Sequence, residues 1–300
     1  MYQVKRAARS EFVAIRNLDY HVQVWGRPKP GGFPTVMLHG WMDVAASYQF
    51  VIDAFTHEHY VIAPDWRGFG KTRAGGADNF WFPDYLADLD FLLDHYAPHG
   101  PVNLVGHSMG GNIAMQYGGV RPERVRRLVN LEGFGMPTST PDQAPQRYAR
   151  WMDELKRLHL GQMDLRPYPT VAGVARRLMK TNPRLSTDKA HWLAHQWAEE
   201  SGSGQWRIHA QAGHKIIGAN LPRLEEVMAL YSRLSMPVLS IEAQVSTLDT
   251  WWKGEYTLDE YHARLQTIPQ VEVICISNAG HMLHHDQPAE IAEIIERFII

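Results

Sequence analysis

Three side chains of this sequence could together carry acyl-transfer chemistry: a serine in a cramped turn, a carboxylate at the end of an apolar run, and a histidine to move a proton. The serine is Ser108. In "VNLVGHSMGGNIA", the pattern Gly106-His107-Ser108-Met109-Gly110 lies between a β-branched apolar run and a helical stretch. A nucleophile on a strained strand-to-helix turn thrusts its hydroxyl out of a sheet, and side chains two residues either way would collide with the turn. Gly111 lets the following helix pack close. The carboxylate is Glu132 in "RRLVNLEGFGMP", with Gly133 and Gly135 clearing space around it. A serine hydroxyl is a poor nucleophile and needs a base within hydrogen-bond reach. Sixteen histidines compete for that role.

The elements that must position these groups alternate in type. "EFVAIRN" and "HVQVWG" form an opening antiparallel pair, with a tight turn expected at Asn17 to Tyr20. "TVMLHG", "YVIAPD", "VNLVGHS" and "RLVNLEG" are short, near-continuous apolar strands suited to a parallel sheet covered on both faces. Helical stretches between them, among them "WFPDYLADLDFLLDHY", imply right-handed crossovers and an α/β fold. From about Thr138 to Asn220 the pattern is helical with no strand signal, which predicts an α-helical insertion. Strands return with "PVLSIEA" and "VEVICIS", and "AEIAEIIERFII" closes the chain with Ile291, Ile294, Ile295 and Phe298 as one stripe. The domains are therefore read as a core of residues 1–137 and 221–300 with a cap of residues 138–220.

Four motifs in order, "MLHGWMD" at 37–43, "DWRGFGKT" at 65–72, "GHSMGG" at 106–111 and "NAGHMLHHDQP" at 278–288, resemble the α/β-hydrolase fold family over nearly the whole chain. The resemblance implies a mostly parallel eight-stranded sheet with a helical cap after the sixth strand. It implies His281 as the base, and the amides of Trp41 and Met109 as the oxyanion donors. His284 and His285 are expected to face solvent or neighbouring loops, His39 to be structural, and His107 to point away from the nucleophile's face while bordering the pocket.

The family's usual acid position, after the seventh strand, is occupied by Ser246 here. Some relatives take the acid from the end of the sixth strand, where Glu132 stands. Asp249 and Glu242 remain alternatives, as does a dyad without an acid. Asp65 and Arg67 are expected to brace their loop. Candidate pocket residues in the cap are Trp151, Met152, Trp192 and Trp197, with Trp206 nearby; all are equally readable as cap core.

The expected activity is a serine hydrolase cleaving carboxylic esters of small to medium hydrophobic substrates through an acyl-enzyme. Carbon–carbon bond hydrolysis by the same triad, with Arg176 and Arg177 as carboxylate anchors, and a non-catalytic small-molecule receptor are the alternatives.

The net charge of -2 gives no reason to expect nucleic acid or an acidic membrane as a partner. The histidines are scattered along the chain, so no metal is expected, and no cofactor motif appears. A small molecule is the expected partner, and a homodimer stays open. The single cysteine, Cys275, reads as a buried strand thiol. Without an apolar leader or spanning segment, a cytoplasmic protein is the expectation.

Overall fold

A computed structural model describes residues 2–73, 75–245 and 248–300, with Asp249 and Thr250 described only in their backbone. Ten strands are described: β1 (Arg9–Ile15), β2 (Leu18–Trp25), β3 (Thr35–Leu38), β4 (Val61–Pro64), β5 (Val102–His107), β6 (Val125–Leu131), β7 (Ala198–Glu200), β8 (Trp206–Ile208), β9 (Val238–Ala243) and β10 (Val271–Ile276). Eight of them form one sheet in the order β1-β2-β4-β3-β5-β6-β9-β10. The pairings of β1 with β2 and of β2 with β4 are antiparallel, and the rest are parallel. This is the α/β architecture expected from the alternating pattern.

Alternation along each strand divides the core between two faces. Val36, Leu38 and Leu104 point to one face, against helices that include Phe82–Tyr96 and Met109–Val120. Met37, Val105 and Leu131 point to the other, against Ile291 and Ile295 of the helix Pro288–Ile299. Both faces are covered, so the central strands carry apolar side chains on both sides.

Four local expectations change. The β1–β2 turn falls at Arg16 and Asn17, because Ile15 pairs with Leu18, and Arg16 takes φ 55°. That register places Tyr20, Val22 and Val24 together in the core. The insertion holds a β-hairpin, β7 with β8, beside its helices Ala144–His159, Val171–Thr181 and Thr187–Trp197. Each of its strands spans three residues, too few for a periodic signal.

Cys275 is exposed. It lies on edge strand β10 beside exposed Val273, and Ile274 and Ile276 take the covered face. His284 and His285 are buried in the short helix Leu283–Asp286 instead of facing solvent, because their rings pack on Tyr48 and Phe50 of the segment after β3 and Ser47 bonds His285.

The cap rests on the segment after β3. Val174, Leu178, Leu185 and Leu193 form one apolar cluster with Val44, Ala46 and Phe50. The loop after β4 is tied to the cap by Gly70 N donating to His209 O (2.8 Å) and Gln211 N donating to Gly68 O (2.9 Å).

The final helix is anchored by Glu296, which accepts from Thr56 N, Thr56 Oγ1, His57 N and His59 Nε2 at 2.7–2.9 Å. Burial alone would raise this carboxyl, but those donors outweigh it and hold it at about 2, below the usual 4.5. A depressed carboxyl stabilises the fold above its unfolded value and loses that contribution as the pH falls toward the folded value. Glu296→Gln is therefore expected to cost about 2 kcal/mol at neutral pH. In urea denaturation series the gap to wild type should close as the pH drops from 4.5 toward 2; a gap independent of pH would contradict this account.

Candidate active site

Ser108 joins β5 to the helix Met109–Val120 with φ 52° and ψ −114°, a conformation L-residues seldom adopt. Its amide donates to Leu131 O (2.8 Å), and its carbonyl accepts from Asn112 N (3.0 Å). The surrounding glycines are needed for space. A Cβ on Gly106 would stand 2.3 Å from Gly110 O, and one on Gly110 would stand 2.0 Å from Leu38 O. A Cβ on Gly111 or Gly133 would strike Asn130 Oδ1, at 2.1 and 2.2 Å. Asn130, which no sequence motif singles out, is fully buried and bonds Gly133 through both its oxygen and its nitrogen.

Glu132 ends β6 just as Ser108 ends β5, also with positive φ (56°). Its amide donates to Ile241 O (3.0 Å). Its side chain has no exposed surface: Oε1 accepts from Ala243 N (2.7 Å), and Oε2 lies 3.3 Å from His281 Nδ1. Burial raises this carboxyl from 4.5 to about 7, and the Ala243 amide offsets only part of that rise. Gly135, by contrast, is set by conformation (φ 81°), since a Cβ there would meet almost nothing.

His281 stands in the loop after β10. Burial lowers its imidazole to about 3, so it is neutral at ordinary pH. One ring edge meets Glu132, and Trp251 packs edge-on at 4.2 Å. The loop itself is clasped by Asp286, which accepts from Gly280 N (2.9 Å) and from Asn182 Nδ2 of the cap (2.8 Å). Ser108 Oγ makes no hydrogen bond among the described residues, and Nε2 of His281 is likewise uncommitted. Such bonds are often long or unmade before substrate arrives.

The turn after β3 abuts this corner. A Cβ on Gly40 would come 3.2 Å from Ser108 Cβ, so the Gly40–Trp41 peptide borders the serine. Met109 supplies the first amide of the following helix, which has no partner one turn back. The Trp41 indole is 54% exposed and donates to His214 O (3.2 Å). His214 is stacked between Phe69 and Phe80 at 3.7 and 3.6 Å. Trp41 and Trp251, 49% exposed, are thus two large apolar surfaces beside the serine and the histidine. Trp251 was missed because nothing in sequence links it to a loop thirty residues on.

Other candidates fall elsewhere. Glu242 is held by His262 Nε2 at 2.9 and 3.0 Å and makes no hydrogen bond to His281. Asp249 lies in the short helix Leu248–Trp252, and its side chain is outside the described residues. His39 is structural: Trp66 N donates to its Nε2 (2.9 Å). Asp65 accepts from Ala45 N, Lys71 N and His21 Nδ1, and Arg67 forms a two-pronged pair with Asp88 at 2.6 and 2.7 Å, so both brace their loop.

Three pocket expectations are corrected. His107 is buried under the turn, its ring 4.3 Å from that of His284. Trp192 packs on Tyr2 and Phe50, and Trp197 donates to Asp43 Oδ1 (3.1 Å), so these two indoles form the cap–core seam. The seam forms because the apolar face of their helix meets the segment after β3. Trp151 is partly buried and Met152 half exposed on the helix Ala144–His159. A cleft of about 610 Å³ lined by Phe12, Lys71, Arg73, Trp206 and His209 contains none of the residues at this corner.

An eight-stranded sheet of this order, with a strained serine, a neutral histidine and a buried carboxylate at the ends of three strands, defines a class. The chain belongs to the α/β hydrolase fold family, whose model matches residues 34–288, and is a hydrolase of that fold. It is 25% identical to a serine hydrolase-like protein of Danio rerio, with 98% of this chain and 89% of that protein covered. It is 26% identical to a cis-3-alkyl-4-alkyloxetan-2-one decarboxylase of Shewanella oneidensis, covering 89% and 82%. Among solved structures, the thioesterase domain from the curacin biosynthetic pathway superposes with a TM-score of 0.81 at 23% identity, covering 97% and 99%. Among the described residues, no helix is long and apolar enough to cross a membrane.

The turn around Ser108 has no room for one added carbon. Gly110→Ala is expected to destabilise the protein by about 3 kcal/mol or more, because the clash is with backbone that cannot move away. Thermal and urea denaturation measure this, and a variant as stable as wild type would show the turn to be slack.

Proposed function

We propose that the protein hydrolyses carboxylic esters of small to medium hydrophobic molecules through an acyl-enzyme on Ser108. The observation that carries the reading is the buried Glu132 carboxylate facing His281 Nδ1 at 3.3 Å. A carboxylate there holds the proton on Nδ1 and leaves Nε2 to accept the proton of Ser108. Ser108 Oγ attacks the carbonyl carbon, and the amides of Met109 and Trp41 receive the developing oxyanion. His281 returns the proton to the leaving alkoxide. Water, deprotonated by His281, then releases the acid. Trp41 and Trp251 offer the acyl or alcohol part an apolar surface. The name of the Danio rerio relative, a serine hydrolase-like protein, agrees with a serine nucleophile.

Carbon–carbon bond cleavage would use the same three residues but needs a cationic anchor for a carboxylate. Arg176 and Arg177 are both exposed on the helix Val171–Thr181, whose buried face is Gly173, Val174, Ala175 and Leu178, so they do not serve.

Fluorophosphonate labelling and turnover of p-nitrophenyl esters of graded chain length test the assignment. Ser108→Ala should abolish labelling and lower kcat by roughly 10⁴-fold or more, and Glu132→Gln should lower it by roughly 10²- to 10⁴-fold. Full activity in Glu132→Gln, or stoichiometric ligand binding with no turnover in wild type, would refute the reading.

The acid limb of the pH profile gives an independent check. Below about 7 the Glu132 carboxyl is protonated and its O–H donates a hydrogen bond to Nδ1, so the neutral ring carries its proton on Nε2, where it cannot accept the serine's. Consequently kcat/KM should rise with pH through about 7, and Glu132→Gln should flatten that limb. A limb unchanged in the variant would assign it to another group.

A further inference from the structure

Beneath the serine turn lies a second cluster of polar side chains that the hydrolytic chemistry does not use. Asp43, His107 and His284 are at most 5% exposed, and one ligand atom from each lies within 4.8 Å of the others. They come from the turn after β3, the end of β5 and the helix Leu283–Asp286. Among the described residues, Asp43 Oδ2, His107 Nδ1 and both ring nitrogens of His284 have no hydrogen-bond partner. Buried polar atoms are rarely left so, and several orphans on three clustered residues need an explanation.

The outer bonds of the cluster settle which atoms offer lone pairs. His107 Nε2 meets the His281 carbonyl oxygen at 2.7 Å, and a carbonyl can only accept, so the proton is on Nε2 and Nδ1 carries a lone pair. Asp43 Oδ1 accepts from the Ser47 hydroxyl (2.7 Å) and the Trp197 indole (3.1 Å), which orients the carboxylate and leaves Oδ2 facing inward. A neutral His284 has one N–H and one further lone pair. Lone pairs therefore outnumber protons at this point, and positive charge is what the cluster lacks.

We propose that Asp43 Oδ2, His107 Nδ1 and a ring nitrogen of His284 bind one zinc-like divalent transition-metal ion. Two imidazole nitrogens and a carboxylate oxygen suit such ions, whereas magnesium and calcium take oxygen sets. Histidine ligands usually donate their other N–H to a carbonyl, and ligating carboxylates are usually hydrogen-bonded; His107 and Asp43 already have those partners. Metal bonds of about 2.0–2.1 Å need ligand atoms about 3.4 Å apart, so from separations within 4.8 Å binding draws each side chain inward by no more than about 1 Å. The site is joined to the loop of His281 through the His107 bond but shares no ligand with the ester chemistry.

A second group, His57, His59 and Glu296, also falls within 4.8 Å. Both Glu296 oxygens are occupied by donors, and His57 is exposed, so this group anchors the final helix instead.

The test uses the full-length protein expressed with added zinc, dialysed against metal-free buffer, and assayed for metal content and by anomalous diffraction at the zinc edge. One equivalent per chain is expected, with the anomalous peak bounded by residues 43, 107 and 284. Cobalt(II) in place of zinc should give visible ligand-field absorption without a thiolate band. His284→Ala and Asp43→Asn should each bring the metal content to background, while Ser108→Ala, His281→Ala and His57→Ala retain it. Absence of bound metal in wild type, an ordinary water at the peak position, or loss of binding in His57→Ala or His281→Ala but not in His284→Ala overturns the proposal. Asp43 also holds Ser47 and Trp197, so the wild-type anomalous map decides the matter independently of how the variants fold.

Discussion

A carboxyl group with no exposed surface, set between the Ala243 amide and the His281 imidazole, is the constraint on which the rest of this molecule turns. Removing a carboxylate from water is unfavourable unless donors replace the lost hydration. Among the described residues the Glu132 side chain has only two partners, and burial without more donors is why its proton is held so much more tightly than usual. The backbone must deliver both partners to it. The Ala243 amide arrives because β6 and β9 run parallel in a fixed register, Leu131 beside Ile241. His281 arrives because β10 continues that sheet, and Asp286 ties the following loop.

The same sheet edge explains the serine. β5 and β6 end side by side, and each passes into a residue with positive φ, Ser108 and Glu132. A bond from the Ser108 amide to Leu131 O joins the two turns. Strained residues persist when their surroundings over-determine them, and here Asn130 and four glycines leave no alternative path for the chain. The cap contributes less to this corner than its aromatic content suggests. Trp192 and Trp197 seal it onto the core, and the clasp through Asn182 and Asp286 makes the histidine loop sensitive to how the cap is seated.

Polar side chains buried under the turn connect these parts. His107 supports the His281 carbonyl from below, and Ser47 links His285 to Asp43, which in turn holds the cap through Trp197. Hydrogen-bonded groups of this kind fix geometry more firmly than apolar packing, because any displacement leaves a buried group unpaired.

Local pattern alone determined the strands of the main sheet and the long helices between them, the serine turn and its glycines, and the placing of a carboxylate at the end of β6. Steric rules and side-chain periodicity act within a few residues, so they are written in the chain. What lay beyond them were facts of juxtaposition. Cys275 reads as core until its strand proves to be an edge, and His284 and His285 read as loop until a helix folds them inward. Trp251 reaches His281 and Asp43 reaches His107 only across the finished sheet. The choice between Glu132 and Glu242 rested on such contacts too: the two glutamates end neighbouring strands, and what separated them was that His262 stood beside one and His281 beside the other. Contacts between distant segments depend on strand order and register, which the whole core decides together.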